Sequence, residues 1–287
     1  MSYKKLIFVS GKGGVGKSTI SLILARMLHQ QGKRVLLVEM GERSSAEHLA
    51  ELKGVSGYLP QATPLGFQWV RLTGLDCLTD YVGSYVKVEK IAKSFFDNPL
   101  IKTLINLAPG LEDLAILGKL TSGIRHHGPA YNFDHIIIDA HSTGSFTSML
   151  RAPRALANMV SMGPLHSQSE NIDKVLFDGE HAQYFFVSLL EDLPLEELLE
   201  SVDEFRRDFK VKPTVVLNKV LPELTRVQEG TPWAAFILNL KHKQQARVGP
   251  LTSQFPEAKA QGFIAEPLAQ YLQNKKGDDL RTLFKNS

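Results

Sequence analysis

The sequence predicts an α/β fold, a doubly wound and mostly parallel sheet flanked by helices. Short apolar runs of strand length alternate along the chain with longer stretches in which apolar residues recur every three or four positions. The first apolar run passes through a glycine-rich loop directly into the first helical pattern. The 287 residues, 43% hydrophobic and 22% charged, are enough to bury a sizeable core in one large domain.

The elements follow in order. Lys5-Leu6-Ile7-Phe8-Val9 reads as a buried strand, and Ile20, Ile23, Leu24, Met27 and Leu28 fall at helical spacing, with Gly32 as a C-terminal stop. Val35-Leu36-Leu37-Val38-Glu39 reads as a second buried strand. Residues about 45–130 read as a mainly helical insertion within a single domain spanning 1–287. There Ile91, Phe95, Phe96, Leu100, Ile101, Leu104, Ile105 and Leu107 recur at mixed three-to-four spacing among Lys87, Lys90, Lys93 and Lys102, a pattern of amphipathic helices. Asp134-His135-Ile136-Ile137-Ile138-Asp139 is an apolar strand with an acidic end. Ser161–Leu165, Phe185–Leu190 and Pro213–Leu217 read as further strands, and 194–209 as a helix whose Pro194 and early Glu196, Glu197 and Glu200 suit its N-terminus.

The loop after the first strand is Gly11-Lys12-Gly13-Gly14-Val15-Gly16-Lys17-Ser18-Thr19, which is G-x-x-x-x-G-K-S/T in a strand–loop–helix setting. Glycines let the backbone wrap close to phosphate oxygens with successive N–H groups pointing inward, and the helix N-terminus adds its positive end. Gly11, Gly13, Gly14, Val15, Gly16, Lys17, Ser18 and Thr19 are therefore expected to cradle a nucleotide. Lys17 is expected on the β- and γ-phosphates and Ser18 on Mg²⁺. Asp139, at a strand end, can hold the same Mg²⁺ from the opposite side, and Gly144 can offer an N–H to the γ-phosphate.

Lys12 makes the loop Lys-Gly-Gly-Val-Gly-Lys-Ser-Thr, which resembles the deviant P-loop group: the ParA/MinD partitioning ATPases, the nitrogenase iron protein, the arsenite-pump ATPase ArsA and the eukaryotic tail-anchored-protein targeting ATPase. The resemblance implies a P-loop NTPase that uses ATP, closes as a homodimer, and sends Lys12 across to the partner's nucleotide as a catalytic group. The segment Asp139-Ala-His-Ser-Thr-Gly144-Ser-Phe-Thr-Ser-Met-Leu150 is similar to that of the ArsA and tail-anchored-targeting branch, with His141 in place of a proline and Ser145 in place of a histidine. Asn218-Lys219-Val220-Leu221-Pro222-Glu223 resembles the branch's adenine-recognition loop, which implies Asn218 and Lys219 as nucleotide contacts. In the relatives a catalytic aspartate follows the second strand. That place falls at or near Gly41, and the nearest carboxylates are Glu39 and Glu42. Either glutamate can reach a water near the γ-phosphate. Alternatively Glu39 shapes the Mg²⁺ shell, Glu42 is solvated and hydrolysis is slow.

Composition narrows the function. Lys and Arg number 33 against 30 Asp and Glu, a net +3, which is no strong nucleic-acid signal. A single cysteine, Cys77, excludes an intramolecular disulfide framework, and within one chain it cannot supply the zinc clamp or the metalloid-binding thiols of the best-known relatives. Adjacent His126 and His127 lack an evident third metal ligand. No apolar stretch approaches the about 18 residues of a transmembrane helix, and the chain is expected to be cytoplasmic. The expected function is an ATP-hydrolysing homodimeric switch of the ArsA family, with ATP and Mg²⁺ as cofactors, that couples nucleotide state to a protein client. The helical insertion fits ordinary core packing, a dimer surface, or a groove for a client's apolar segment. Two alternatives are a ParA/MinD-type positioning ATPase, which the short, mixed-charge tail 270–285 disfavours, and a nucleotide-binding interaction module with little turnover.

Overall fold

The computed structural model describes residues 3–41, 58–85, 110–222, 232–262, 264, 268–275 and 285–286. Glu42, Glu223 and the apolar and lysine-bearing run at 87–107 lie outside them. In chain order the elements are β1 (Leu6–Gly11), α1 (Lys17–Gln30), β2 (Val35–Met40), β3 (Gln61–Ala62), β4 (Gln68–Leu72), α2 (Gly74–Tyr85), α3 (Leu111–Arg125), β5 (His135–Asp139), α4 (Thr143–Met159), α5 (Pro164–Phe177), β6 (Ala182–Leu189), α6 (Asp192–Phe209), β7 (Thr214–Val220), α7 (Pro232–Gln254), β8 (Lys259–Gly262), α8 (Leu268–Asn274) and β9 (Lys285–Asn286). The sheet order is β3-β4-β2-β5-β1-β6-β7-β8-β9. Every pairing is parallel except β3 with β4 and β8 with β9 at the two edges.

The central strands are apolar on both faces because both faces are covered. Within β1, Ile7 and Val9 face a layer built by α1, joined by Tyr271 and Leu272 of α8. Leu6 and Phe8 face the opposite layer, to which α3, α4, α5 and α6 contribute Leu117, Phe146, Ile172 and Phe205. The connections leave β1 in both directions: β5 and β2 lie on one side, β6 and β7 on the other. That reversal makes the carboxyl end of β1 the topological switch point, the place where doubly wound sheets open a ligand crevice.

The structure departs from the sequence expectation in two stretches. Ser161–Leu165 is not a strand: Pro164 opens α5, behind Gly163 at φ 103. Proline pre-sets the backbone angle of a first helical residue, and Met162 stands 81% exposed, so this apolar run has no sheet to enter. Within 45–130, helices α2 and α3 are accompanied by two strands, and β4 extends the main sheet by pairing with β2. Its Trp69 is fully enclosed. Among the described residues no helix is long and apolar enough to cross a membrane.

Candidate nucleotide site

The glycine loop ends on Gly16, which caps α1 with φ 95. A Cβ added there would lie 2.2 Å from Asn218 Nδ2, so glycine is required both by backbone conformation and by the closeness of β7. At Gly13, Gly14 and Gly144, by contrast, an added Cβ meets nothing within 4 Å. The loop and the first turn of α4 thus face open space, in which bound phosphates can lie against backbone N–H groups.

Lys17, the first residue of α1, donates from Nζ to the carbonyl of Lys12 at 3.3 Å, folding back over the loop it belongs to. Burial lowers its pKa and the Asp139 charge opposes that effect. Asp139 ends β5, and the Ser21 hydroxyl lies 3.4 Å from its Oδ1. Its pKa is raised to about 6, chiefly by burial and also by the charge of Glu39, while hydrogen bonds from Ser18 and Ser21 and the charge of Lys17 lower it. A carboxylate this deeply placed has too little positive charge around it.

Glu39 and Asp139 are register partners on adjacent parallel strands. Two carboxylates and the Ser18 hydroxyl therefore converge from β2, β5 and α1. Hard oxygen donors of this kind fit Mg²⁺, which prefers one or two carboxylates completed by water and phosphate oxygens. Ser18 and Asp139 are the residues that would hold it.

The structure gives several of the expected site residues specific neighbours. Glu39 is buried, 3% exposed, and its Oε2 accepts the indole N–H of Trp69 at 2.9 Å. Its carboxylate is thereby tied to β4, on the strand position that pairs with Asp139. Asn218, also 3% exposed, donates from Nδ2 to the carbonyl of Val15 at 2.8 Å and accepts from the Lys219 backbone N–H at 2.9 Å. Its amide braces the glycine loop from β7, and the next residue, Lys219, has a left-handed backbone with φ 56. Lys12 pairs with Glu197 of α6 in its own chain at 2.9 Å. The sequence reading missed the roles of Trp69 and Glu197. Neither carries a local signal, since each meets its partner only through the sheet and the helix layer.

These parts make a phosphate cradle at the switch point of a doubly wound sheet, which defines the class: P-loop nucleotide-binding proteins. Comparison with known proteins narrows it. The chain belongs to the family of the CobQ/CobB/MinD/ParA nucleotide binding domain, whose model matches residues 6–239. It is 28% identical over 284 residues to ATPase BagA of Mycobacterium tuberculosis, covering 93% of this chain and 80% of that protein. It is 25% identical over 256 residues to a putative arsenical pump-driving ATPase 2 of Aquifex aeolicus, covering 76% and 81%. Against an arsenical pump-driving ATPase of Acidiphilium multivorum it is 25% identical over 233 residues, covering 76% of this chain but 40% of that protein. These relatives are consistent with the ArsA-like branch, and at family level the chain is an ATPase.

Proposed function

We propose that the protein is a cytoplasmic, Mg²⁺-dependent ATPase that works as a homodimeric switch: ATP binding closes two copies, hydrolysis reopens them, and a client protein responds to the difference. The observation that carries this reading is the convergence of Lys17, Ser18 and the buried Asp139 beside an open glycine loop. A buried carboxylate with its pKa raised to about 6 is short of positive charge, and a bound metal supplies it. When bound, Mg²⁺ neutralises charge on the β- and γ-phosphates. Lys17 does the same from α1, and the loop N–H groups fix the phosphates without reorganising as the reaction proceeds. Residues Gly11, Gly13, Gly14, Val15, Gly16 and Thr19 shape that loop, and Gly144 offers an N–H at the start of α4.

Dimerisation gives Lys12 its task. Its partner Glu197 holds it in cis through a half-exposed pair, and such pairs are worth only about 0–1 kcal/mol, which a closing interface can exchange for phosphate contacts. A client surface is supported by apolar side chains standing in solvent on α7, where Trp233 and Phe236 stack 5.7 Å apart. A second reading, an interaction module with little turnover, is favoured by the absence of a side chain at Gly41 and by the tie of Glu39 to Trp69.

Hydrolysis measured on the full chain at two protein concentrations tests both. Turnover per chain is expected to rise with concentration, and Lys17→Ala is expected to bind ATP more weakly and to lose at least about 100-fold in turnover. Wild-type turnover no faster than Lys17→Ala selects the low-turnover module.

A further inference from the structure

Helix α7 reaches the end of β7 with two side chains. Lys241 and Gln244 stand three positions apart, so they share one face of the helix. Gln244, 7% exposed, accepts the Leu221 N–H on Oε1 at 2.9 Å and donates from Nε2 to the Lys219 carbonyl at 3.2 Å. Its amide thus fills the place of a residue on a neighbouring strand, offering one donor and one acceptor to residues two apart. Lys241 donates from Nζ to the Leu221 carbonyl at 2.9 Å. The pairing of β7 with β8 shifts register between Leu217 and Val220, so α7 fixes this backbone where the ladder is irregular.

The residue held in this way is under strain. Lys219 has φ 56, a left-handed conformation unfavourable to a residue that carries a side chain. Such a backbone persists where its surroundings over-determine it, and it clusters at ligand clamps. Here both backbone polar groups of Lys219 are taken by side chains: the N–H by Asn218 Oδ1 at 2.9 Å and the carbonyl by Gln244. The same Asn218 donates from Nδ2 to the Val15 carbonyl at 2.8 Å, and that Nδ2 lies 2.2 Å from where a Cβ on Gly16 would stand. A continuous run of hydrogen bonds therefore joins α7 to the turn at 219–221, the turn to Asn218, and Asn218 to the glycine loop.

We propose that Gln244, assisted by Lys241, is a positioning residue for phosphate binding: it fixes the turn at 219–221 so that Asn218 keeps the glycine loop in the shape that receives phosphate. The inference rests on the ATP-binding reading above. Without the two Gln244 bonds, Lys219 relaxes from its left-handed backbone and its N–H leaves Asn218 Oδ1. The Asn218 amide is then free to rotate off Val15. The loop loses its brace on the β7 side, and its N–H groups lose their common focus. Gln244 acts through Asn218 and not by touching phosphate.

The test measures the affinity of the full chain for a fluorescent ATP analogue, and for inorganic tripolyphosphate as its competitor. It compares wild type with Gln244→Met, Gln244→Glu, Asn218→Ala, the double variant of Gln244→Met with Asn218→Ala, and the Lys17→Ala control. Gln244→Met keeps the length of the side chain without either hydrogen bond and is expected to bind both ligands about tenfold more weakly. Gln244→Glu keeps the acceptor for the Leu221 N–H and is expected to lose about threefold, which carries the comparison if Gln244→Met folds poorly. In the Asn218→Ala background Gln244→Met is expected to cost less than about twofold more, because its effect passes through Asn218; a side chain that only stabilised the fold would add its loss in full. Wild-type affinity in both Gln244 variants, a loss for the ATP analogue without one for tripolyphosphate, or additive losses in the double variant overturns the proposal while leaving the ATP-binding reading intact. Wild-type affinity no higher than that of Lys17→Ala overturns both.

Discussion

At Asp134 a single carboxylate ties the beginnings of two neighbouring strands. Its two oxygens accept the backbone N–H and a guanidinium N–H of Arg34, each at 2.8 Å, where β2 and β5 start side by side. The hydrogen bonds to Arg34 hold its pKa at about 2, below the ordinary 3.8. A depressed carboxylate pKa means that the unfolded chain binds the proton more readily. The stabilisation is therefore complete above about 4 and is lost as the pH falls toward about 2. Asp134→Asn is expected to lower Tm at pH 7, with the deficit narrowing between pH 4 and 2 in thermal melts followed by circular dichroism. Arg34 and Asp134 are both visible in the sequence as polar residues at strand beginnings. Their pairing is not, because it depends on β2 and β5 being neighbours.

At the scale of elements, the glycine loop is held as much by β7 as by its own glycines. Asn218 reaches from the end of β7 to the Val15 carbonyl and sits where a side chain on Gly16 would have to go. Gly16→Ala combines a left-handed backbone cost of about 1–2 kcal/mol with displacement of that amide. The variant is expected to be less stable in urea unfolding and to bind an ATP analogue at least about tenfold more weakly, since the loop N–H groups lose their common focus. The loop was legible from its spacing alone because its chemistry is local: glycine, lysine and serine act within nine successive residues. The loop that Asn218 resembles marked it as a nucleotide contact, and what the sequence does not show is that its amide also bonds the glycine loop. Strand β7 brings it across the sheet edge, and only the strand order states that distance. The run at 161–165 misled for the opposite reason, since a short apolar stretch carries no record of whether a sheet edge is available to it.

For the whole molecule, one layer of the core is an aromatic cluster beneath β1 and β6. Phe205 of α6 packs against Tyr184 at 4.9 Å, Phe186 at 5.1 Å and Phe209 at 4.9 Å between ring centroids, and Phe146 of α4 bridges from Phe8 at 5.6 Å to Phe186. These contacts join α4 and α6 to the strand that feeds the glycine loop, so the layer that stabilises the fold also carries the first turn of α4. Phe205→Ala leaves a cavity in a fully enclosed place and is expected to cost about 3–5 kcal/mol, read as a lower urea midpoint at an unchanged m value. Its nucleotide site should persist in the folded fraction, because Phe205 touches none of the phosphate-facing groups.

By itself the sequence determined the α/β class, the position and type of the glycine loop, the strand ending in Asp139 and the family these define. Each is written in local spacing, where residues a few positions apart share one turn, one strand face or one ligand. The tertiary structure decided what distant residues do to one another. It joined Glu39 to Trp69, set Asn218 against the loop, paired Lys12 with Glu197, and brought His141 beside Gly41. Strand order and helix docking set those distances. They follow from burying both faces of one sheet at once, a condition on the whole chain that no short stretch of it records.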